Sequence, residues 1–95
     1  MLAYLKDRIV DEINDANGYM EKAVEHKTKP CGEMFRSLAV METEHASALY
    51  KLFQKQEKPI AMSDKDYAAM LKEILDKFSD GMEKFESLKK LYYMM

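Results

Sequence analysis

The spacing of the apolar residues is the feature that most constrains this chain. Along three long stretches they recur at alternating intervals of three and four, which is typical of helices packed in a bundle. Only two short segments break the pattern, and the 95 residues include three Gly and two Pro, which leaves little material for turns. We therefore predict an all-α fold in a single domain over residues 1–95, with helices over about residues 2–27, 30–55 and 64–94.

Both breaks contain residues that favour helix boundaries. Pro30 suits the first turn of a helix and disfavours helical backbone at Lys29. Ser63, followed three residues later by Asp66, resembles a helix N-cap with an acidic first turn. Because short connections join antiparallel neighbours, we expect the three helices to run up, down and up.

Charge and composition exclude several classes of partner. The net charge of −2 gives no electrostatic case for binding nucleic acid or an anionic membrane. No stretch approaches the roughly 18 apolar residues of a membrane span, and the N-terminal residues lack the apolar core of a signal peptide. The single cysteine, Cys31, cannot form an internal disulfide and fits a reducing compartment. We therefore expect a cytoplasmic protein.

The apolar residues that recur at this spacing form one stripe, or seam, along each predicted helix. Two carboxylates and a histidine interrupt these seams. Glu12 lies on the first seam, whereas Glu42 and His45 are three residues apart and share one face of the second helix. Glu12 lies about 17 residues before a turn near Lys29, and Glu42 and His45 lie about 13 and 16 residues after it. An antiparallel hairpin would therefore bring all three residues to a similar height along the axis of the bundle. The predicted seam of the first helix is Leu2, Leu5, Ile9, Glu12, Ala16, Tyr19, Ala23 and His26. That of the second helix is Phe35, Leu38, Glu42, His45, Leu49 and Leu52. That of the third helix is Tyr67, Leu71, Ile74, Phe78, Gly81, Phe85, Leu88, Tyr92 and Met95.

Two interpretations account for these polar residues. A carboxylate or imidazole aimed into a bundle is costly unless it has a partner, and a metal ion is one such partner. Glu-x-x-His on one helix, with a Glu on its neighbour, is the ligand set of di-iron and di-manganese carboxylate bundles. Alternatively, Glu42 and His45 form a hydrogen-bonded pair that fixes the register of a dimer core. The chain supplies the ligand set once, whereas a two-metal centre needs it twice.

Two stretches of the chain resemble the ferritin-like di-iron superfamily, with a pattern closest to rubrerythrins and encapsulated-ferritin-like half-bundles. In residues 12–23 (EINDANGYMEKA), a Glu is followed by a Tyr seven residues later and then by an Ala. In residues 35–46 (FRSLAVMETEHA), a Phe is followed by a Glu seven residues later and then by His-Ala. The resemblance covers about residues 11–52.

This resemblance implies specific roles for four residues. Glu12 and His45 would be terminal metal ligands and Glu42 a bridging ligand, while Tyr19 would lie near the site as a hydrogen-bond donor or redox-active neighbour. A full bundle of this superfamily repeats the motif on its third and fourth helices, but the third helix here has no seam Glu. Encapsulated-ferritin-like half-bundles complete their site by dimerising. By the same resemblance we expect a homodimer or a larger even-numbered homo-oligomer that completes a four-helix-type bundle.

The same resemblance implies a cofactor and an activity. It implies two iron ions per dimer, with manganese or zinc as alternatives, and ferroxidase-like oxidation of Fe(II) by dioxygen or peroxide. A container or an electron-donor protein would be a further partner, and the location would then be inside a cytoplasmic protein compartment.

Two other functions are compatible with the residues. The chain could be a non-enzymatic oligomerisation or scaffold module, because the aromatic residues Phe78, Phe85, Tyr92 and Tyr93 of the third helix could form an extended contact surface. It could also hold a structural zinc ion at a dimer interface without redox chemistry. Metal content separates these two functions from the oxidase.

Overall fold

Three α-helices form the protein. The computed structural model describes residues 1–95, with α1 at Leu2–Glu25, α2 at Pro30–Gln54 and α3 at Asp64–Met94, and without a strand. The prediction of an all-α fold is confirmed. α1 ends two residues before the predicted boundary, because the backbone after it closes a turn in which Lys29 N–H donates to His26 O at 2.9 Å.

α1 is the central helix, and it packs against both α2 and α3. Its first turns contact Phe53 near the end of α2 and Ile74 in the first half of α3. Its last turns contact Ala39 in the first half of α2 and Phe85 further along α3. α1 is therefore antiparallel to α2 and parallel to α3, in the predicted up-down-up order. The molecule is elongated, with extents of 52 × 18 × 15 Å.

Local interactions define where α2 and α3 begin. Pro30 occupies the first turn of α2. A Cβ added at Gly32 would lie 2.2 Å from His26 O, so only glycine lets α2 start this close to the end of α1. Ser63 Oγ accepts a hydrogen bond from Asp66 N–H at 3.1 Å, which caps α3 as predicted. None of the three helices combines the length and the apolar character that a membrane-crossing segment needs.

The buried stripe of α2 differs from the predicted seam. Leu52 of that seam is 44% exposed, and Phe35, Leu38 and Leu49 are only half-buried. The residues of α2 that are buried instead are Gly32, Ala39, Thr43, Ala46 and Phe53. Most of these are small, so they allow the backbones of α1 and α2 to approach closely, whereas the larger apolar residues turn towards an open side. The predicted seam of α2 is therefore not the stripe that packs against α1 within one chain.

The seams of the other two helices agree better with the structure. On α1, Ile9 and Ala16 are fully buried and Glu12 is nearly so. On α3, Ile74, Phe85 and Tyr92 are buried, whereas Met95 at the end of the seam is 59% exposed.

Buried polar residues lie at mid-height of the molecule. One apolar cluster is built around the start of α1 and the end of α2, and the other around the last turns of α1 and the start of α2. The three buried polar residues are Glu12 and Thr43, which lie between the two clusters, and Asn17, which lies beside Ala16 at the edge of the second cluster. Thr43 is satisfied within its own helix, since its hydroxyl donates to Val40 O at 2.7 Å. Glu12 and Asn17 each retain a buried oxygen without a hydrogen-bond partner.

Candidate metal centre

Glu12, Glu42 and His45 come together at mid-height, between α1 and α2. One donor atom from each of the three residues lies within 4.8 Å of the others. His45 Nδ1 is 3.8 Å from Glu12 Oε2 and 3.9 Å from Glu42 Oε1. The structure therefore contains the predicted grouping of one carboxylate from α1 with a carboxylate and an imidazole from α2.

The exposure of the three side chains increases from one side of this group to the other. The Glu12 side chain is 7% exposed, that of Glu42 21%, and that of His45 57%. The group therefore begins in the contact between α1 and α2 and opens to solvent at the imidazole. Within one chain His45 lies at the exposed edge of the group, because the stripe of α2 that packs against α1 lies on a neighbouring face. That His45 points into a bundle completed by a second chain stays a prediction.

The two oxygens of Glu12 have different environments. Oε1 accepts a hydrogen bond from Arg8 Nη2, one helical turn earlier on α1. Oε2 is buried without a hydrogen-bond partner, and it is the oxygen nearer to His45. An unsatisfied buried polar atom costs about 1–3 kcal/mol, and a charged one costs more. A cation placed among the three donors would satisfy Oε2.

The donor set fits a transition-metal ion. Two carboxylates and one imidazole suit Fe(II), Mn(II) and Zn(II), and affinity order alone does not select among them. The residues present therefore fit the metal that the resemblance implies, and Oε2 of Glu12 is the observation on which this fit rests.

Tyr19 lies two helical turns beyond Glu12 on α1. Its ring is half-buried and stacks on Phe35 of α2, with ring centroids 6.3 Å apart. Its hydroxyl forms no hydrogen bond with the three clustered residues. A role for Tyr19 at the site stays a prediction.

Sequence reasoning missed two residues at mid-height. Arg8 pairs with Glu12 at the i,i+4 spacing that is usual for helical ion pairs, so the spacing alone could have identified it. Asn17 lies next to the predicted seam of α1 and is buried. Its amide nitrogen donates to Ile13 O at 3.2 Å and to Gly81 O at 3.0 Å, and thereby joins α1 to α3. No local pattern indicates that contact, because Gly81 is distant in sequence.

Comparison with known families identifies the kind of protein to which the fold and the site belong. The family model for rubrerythrin matches residues 4–91. Comparison with curated proteins and with solved structures finds no significant match. The three helices are consistent with a ferritin-like fold, and the family suggests ferritin-like metal binding, for which the group at mid-height is a candidate site. Because the family model matches nearly the whole chain, this protein belongs to the rubrerythrin family.

Proposed function

We propose that two copies of this chain bind a pair of iron ions between them and oxidise Fe(II). The observation that carries the proposal is the half-set of ligands formed by Glu12, Glu42 and His45, in which a buried carboxylate oxygen lacks any partner. One chain offers two carboxylates and one imidazole. Two chains related by a two-fold axis would offer four carboxylates and two imidazoles, the complement of a two-metal carboxylate bundle.

Each residue of the half-set has a distinct role in this proposal. Glu12 presents Oε2 as a terminal ligand, while Arg8 holds its other oxygen. Glu42 is partly exposed beside His45, and in this proposal it would share its carboxylate between the two ions. His45 adds a nitrogen donor at the exposed edge of the half-set. Iron bound there would supply the redox chemistry, with Fe(II) giving up electrons and dioxygen or peroxide accepting them.

An apolar surface surrounds the exposed edge of the half-set. We call it the open face, and it is the side of α2 that α1 does not cover. Met34 is 60% exposed, Met41 49% and Leu52 44%, and together they form a contiguous apolar patch on one side of α2. The open face consists of Met34, Leu38, Met41, His45, Leu49 and Leu52. A second copy of the chain is the occupant we propose, because it would cover these residues and complete the ligand set in one step.

Metal content and oligomer mass test the proposal together. The protein is purified metal-free and reconstituted with Fe(II) without oxygen, and iron per chain is then measured with the mass in solution. We expect about one iron per chain in a dimer or a larger even-numbered oligomer, followed by oxidation when dioxygen or peroxide is added. Uptake of zinc with no uptake of iron would indicate a structural zinc site. An oligomer that binds neither metal would indicate a scaffold and overturn the proposal.

Matched variants of α2 show whether the metal occupies this group. Glu42→Ala and His45→Ala should abolish iron uptake, because each removes one of three donors. Glu44→Ala is the control, since Glu44 lies between them in sequence but is exposed and lies outside the group. Equal iron uptake by Glu44→Ala and Glu42→Ala would show that iron binds elsewhere.

A further inference from the structure

We propose that Arg8 is the counter-ion of the site in the metal-free protein, and that its guanidinium and the metal compete for the carboxylate of Glu12. The inference rests on the proposed function, since it concerns how this chain prepares for a metal. It assigns an electrostatic role to a residue outside the predicted ligand set.

The contact of Arg8 with Glu12 is the first observation. Arg8 Nη2 donates to Glu12 Oε1, and the ion pair spans one helical turn of α1. The Glu12 side chain is 7% exposed, whereas that of Arg8 is 46% exposed. The guanidinium therefore reaches the carboxylate from the solvent side and can withdraw into solvent without disturbing the core.

The charges within the group are the second observation. Glu12 and Glu42 place two carboxylates within 4.8 Å of the same imidazole. Like charges this close destabilise the folded chain, and a buried carboxylate without a counter-charge is costly. Arg8 is the only Lys or Arg residue that forms an ion pair with either carboxylate. It therefore stabilises the metal-free fold.

A bound metal reverses the effect of that charge. A divalent cation among the three donors neutralises both carboxylates, so the guanidinium then lies beside another positive charge. Arg8 must either move away, which breaks its ion pair, or remain and repel the metal. In both cases Arg8 weakens metal binding. Removal of its charge should therefore change the two properties in opposite directions: lower stability without metal, and tighter binding of metal.

Arg8→Gln tests this inference, with two measurements on the full chain. The first is the thermal midpoint of the metal-free protein, and the second is Fe(II) affinity by calorimetry without oxygen at low ionic strength. We expect a lower midpoint and an affinity about tenfold higher than in the wild type, since one charge a few ångströms from a cation has an effect of at least that order. Glutamine removes the charge and keeps a hydrogen-bond donor on a shorter side chain.

Two further variants serve as controls. Lys6→Gln removes one positive charge from the same helix, but Lys6 pairs with Glu73 of α3 at 3.3 Å, so Fe(II) affinity should stay close to that of the wild type. Arg8→Lys keeps the charge and should not raise the affinity.

The possible results distinguish a failure of this inference from a failure of the proposed function. A wild type that binds Fe(II), together with an Arg8→Gln variant that binds equally or more weakly, would overturn the role of Arg8 and leave the metal site intact. A wild type that binds no Fe(II) would overturn both. An increase in affinity that Lys6→Gln reproduces would also contradict the inference, because it would show an effect of net charge alone.

Discussion

Single residues at the ends of the bundle hold the helices in register through charge. At the start of α2, Glu33 accepts hydrogen bonds from Arg36, the shortest at 2.6 Å. Tyr92 of α3 also donates its hydroxyl to Glu33 Oε2 at 3.3 Å, and Lys27 Nζ lies 3.7 Å from the centre of the Tyr92 ring. These contacts tie the turn after α1 to the end of α3.

Those contacts perturb three pKa values in directions that follow from their causes. The hydrogen bonds from Arg36 lower the pKa of Glu33 below its ordinary value of 4.5, and the same interaction raises the pKa of Arg36. The pKa of Tyr92 is raised, mainly by burial and then by the nearby negative charge of Glu33. The folded state therefore favours the ionised form of Glu33 over the protonated form.

The lowered pKa of Glu33 predicts that the difference in stability between the wild type and Glu33→Gln depends on pH. Its contribution is fully present above the unfolded-state value and is lost as pH falls from about 4.5 through the lower folded-state pKa. In that window the thermal midpoint of the wild type should fall more steeply than that of Glu33→Gln. The variant should be slightly less stable at neutral pH, by a small amount because the Glu33 side chain is 65% exposed.

Glu44→Gln is the control for this measurement, since Glu44 is an exposed carboxylate on the same helix that forms no ion pair. Parallel pH profiles of the wild type and Glu33→Gln would contradict the assignment.

At the scale of the elements, the contact between α1 and α3 depends on one glycine. A Cβ added at Gly81 would lie 2.0 Å from Ile13 Cγ2, and Ile13 is buried. Close approach at this point also lets Gly81 O accept the hydrogen bond from Asn17. The predicted seam of α3 included Gly81 as a position facing the core, but it could not specify which residue of α1 would meet it.

A pair of glycine variants tests this contact. Gly81→Ala should lower the free energy of unfolding, because overpacking costs about 1–3 kcal/mol while the gain in helix propensity returns about 1 kcal/mol at most. Gly18→Ala should raise it by about 1 kcal/mol, since it gains the same propensity and a Cβ there meets nothing within 4 Å. Urea unfolding at one chain concentration measures both. Equal stabilisation by the two changes would show that the two helices are not closely packed at Gly81.

The order and type of the elements could be predicted from local patterns. Pro30 and Ser63 are boundary residues in the sequence and in the structure. Both are recognisable because capping and proline effects depend on neighbouring residues only. The buried face of α2 was not predictable in this way. Apolar residues extend around more than one stripe of that helix, and the stripe that α1 covers is the one whose small side chains permit the closest approach.

For the whole molecule, the open face makes a prediction about assembly. Leu52 is 44% exposed and lies seven residues after His45, on the same side of α2. Leu52→Lys would place a charge in the proposed interface, so the mass in solution should fall to that of one chain and iron uptake should be lost. Helix content should stay unchanged, because Leu52 is outside the buried core.

Leu75→Lys provides a control of nearly equal exposure, at 47%, on α3. It should leave mass and iron uptake unaffected. A Leu52→Lys variant that keeps the wild-type mass would place the interface elsewhere and remove the open face from the proposal.

The sequence by itself determined that the chain folds into three helices and that two carboxylates and a histidine lie at one height. Both follow from short-range physics, namely the helical repeat, the capping residues and the length of the turn near Lys29. Only the tertiary structure decided that His45 lies on an exposed side, that Arg8 takes one oxygen of Glu12, and that Asn17 bonds to Gly81. These depend on how closely two helix backbones can approach. That distance is set by the small side chains between them and by contacts between residues far apart in the chain.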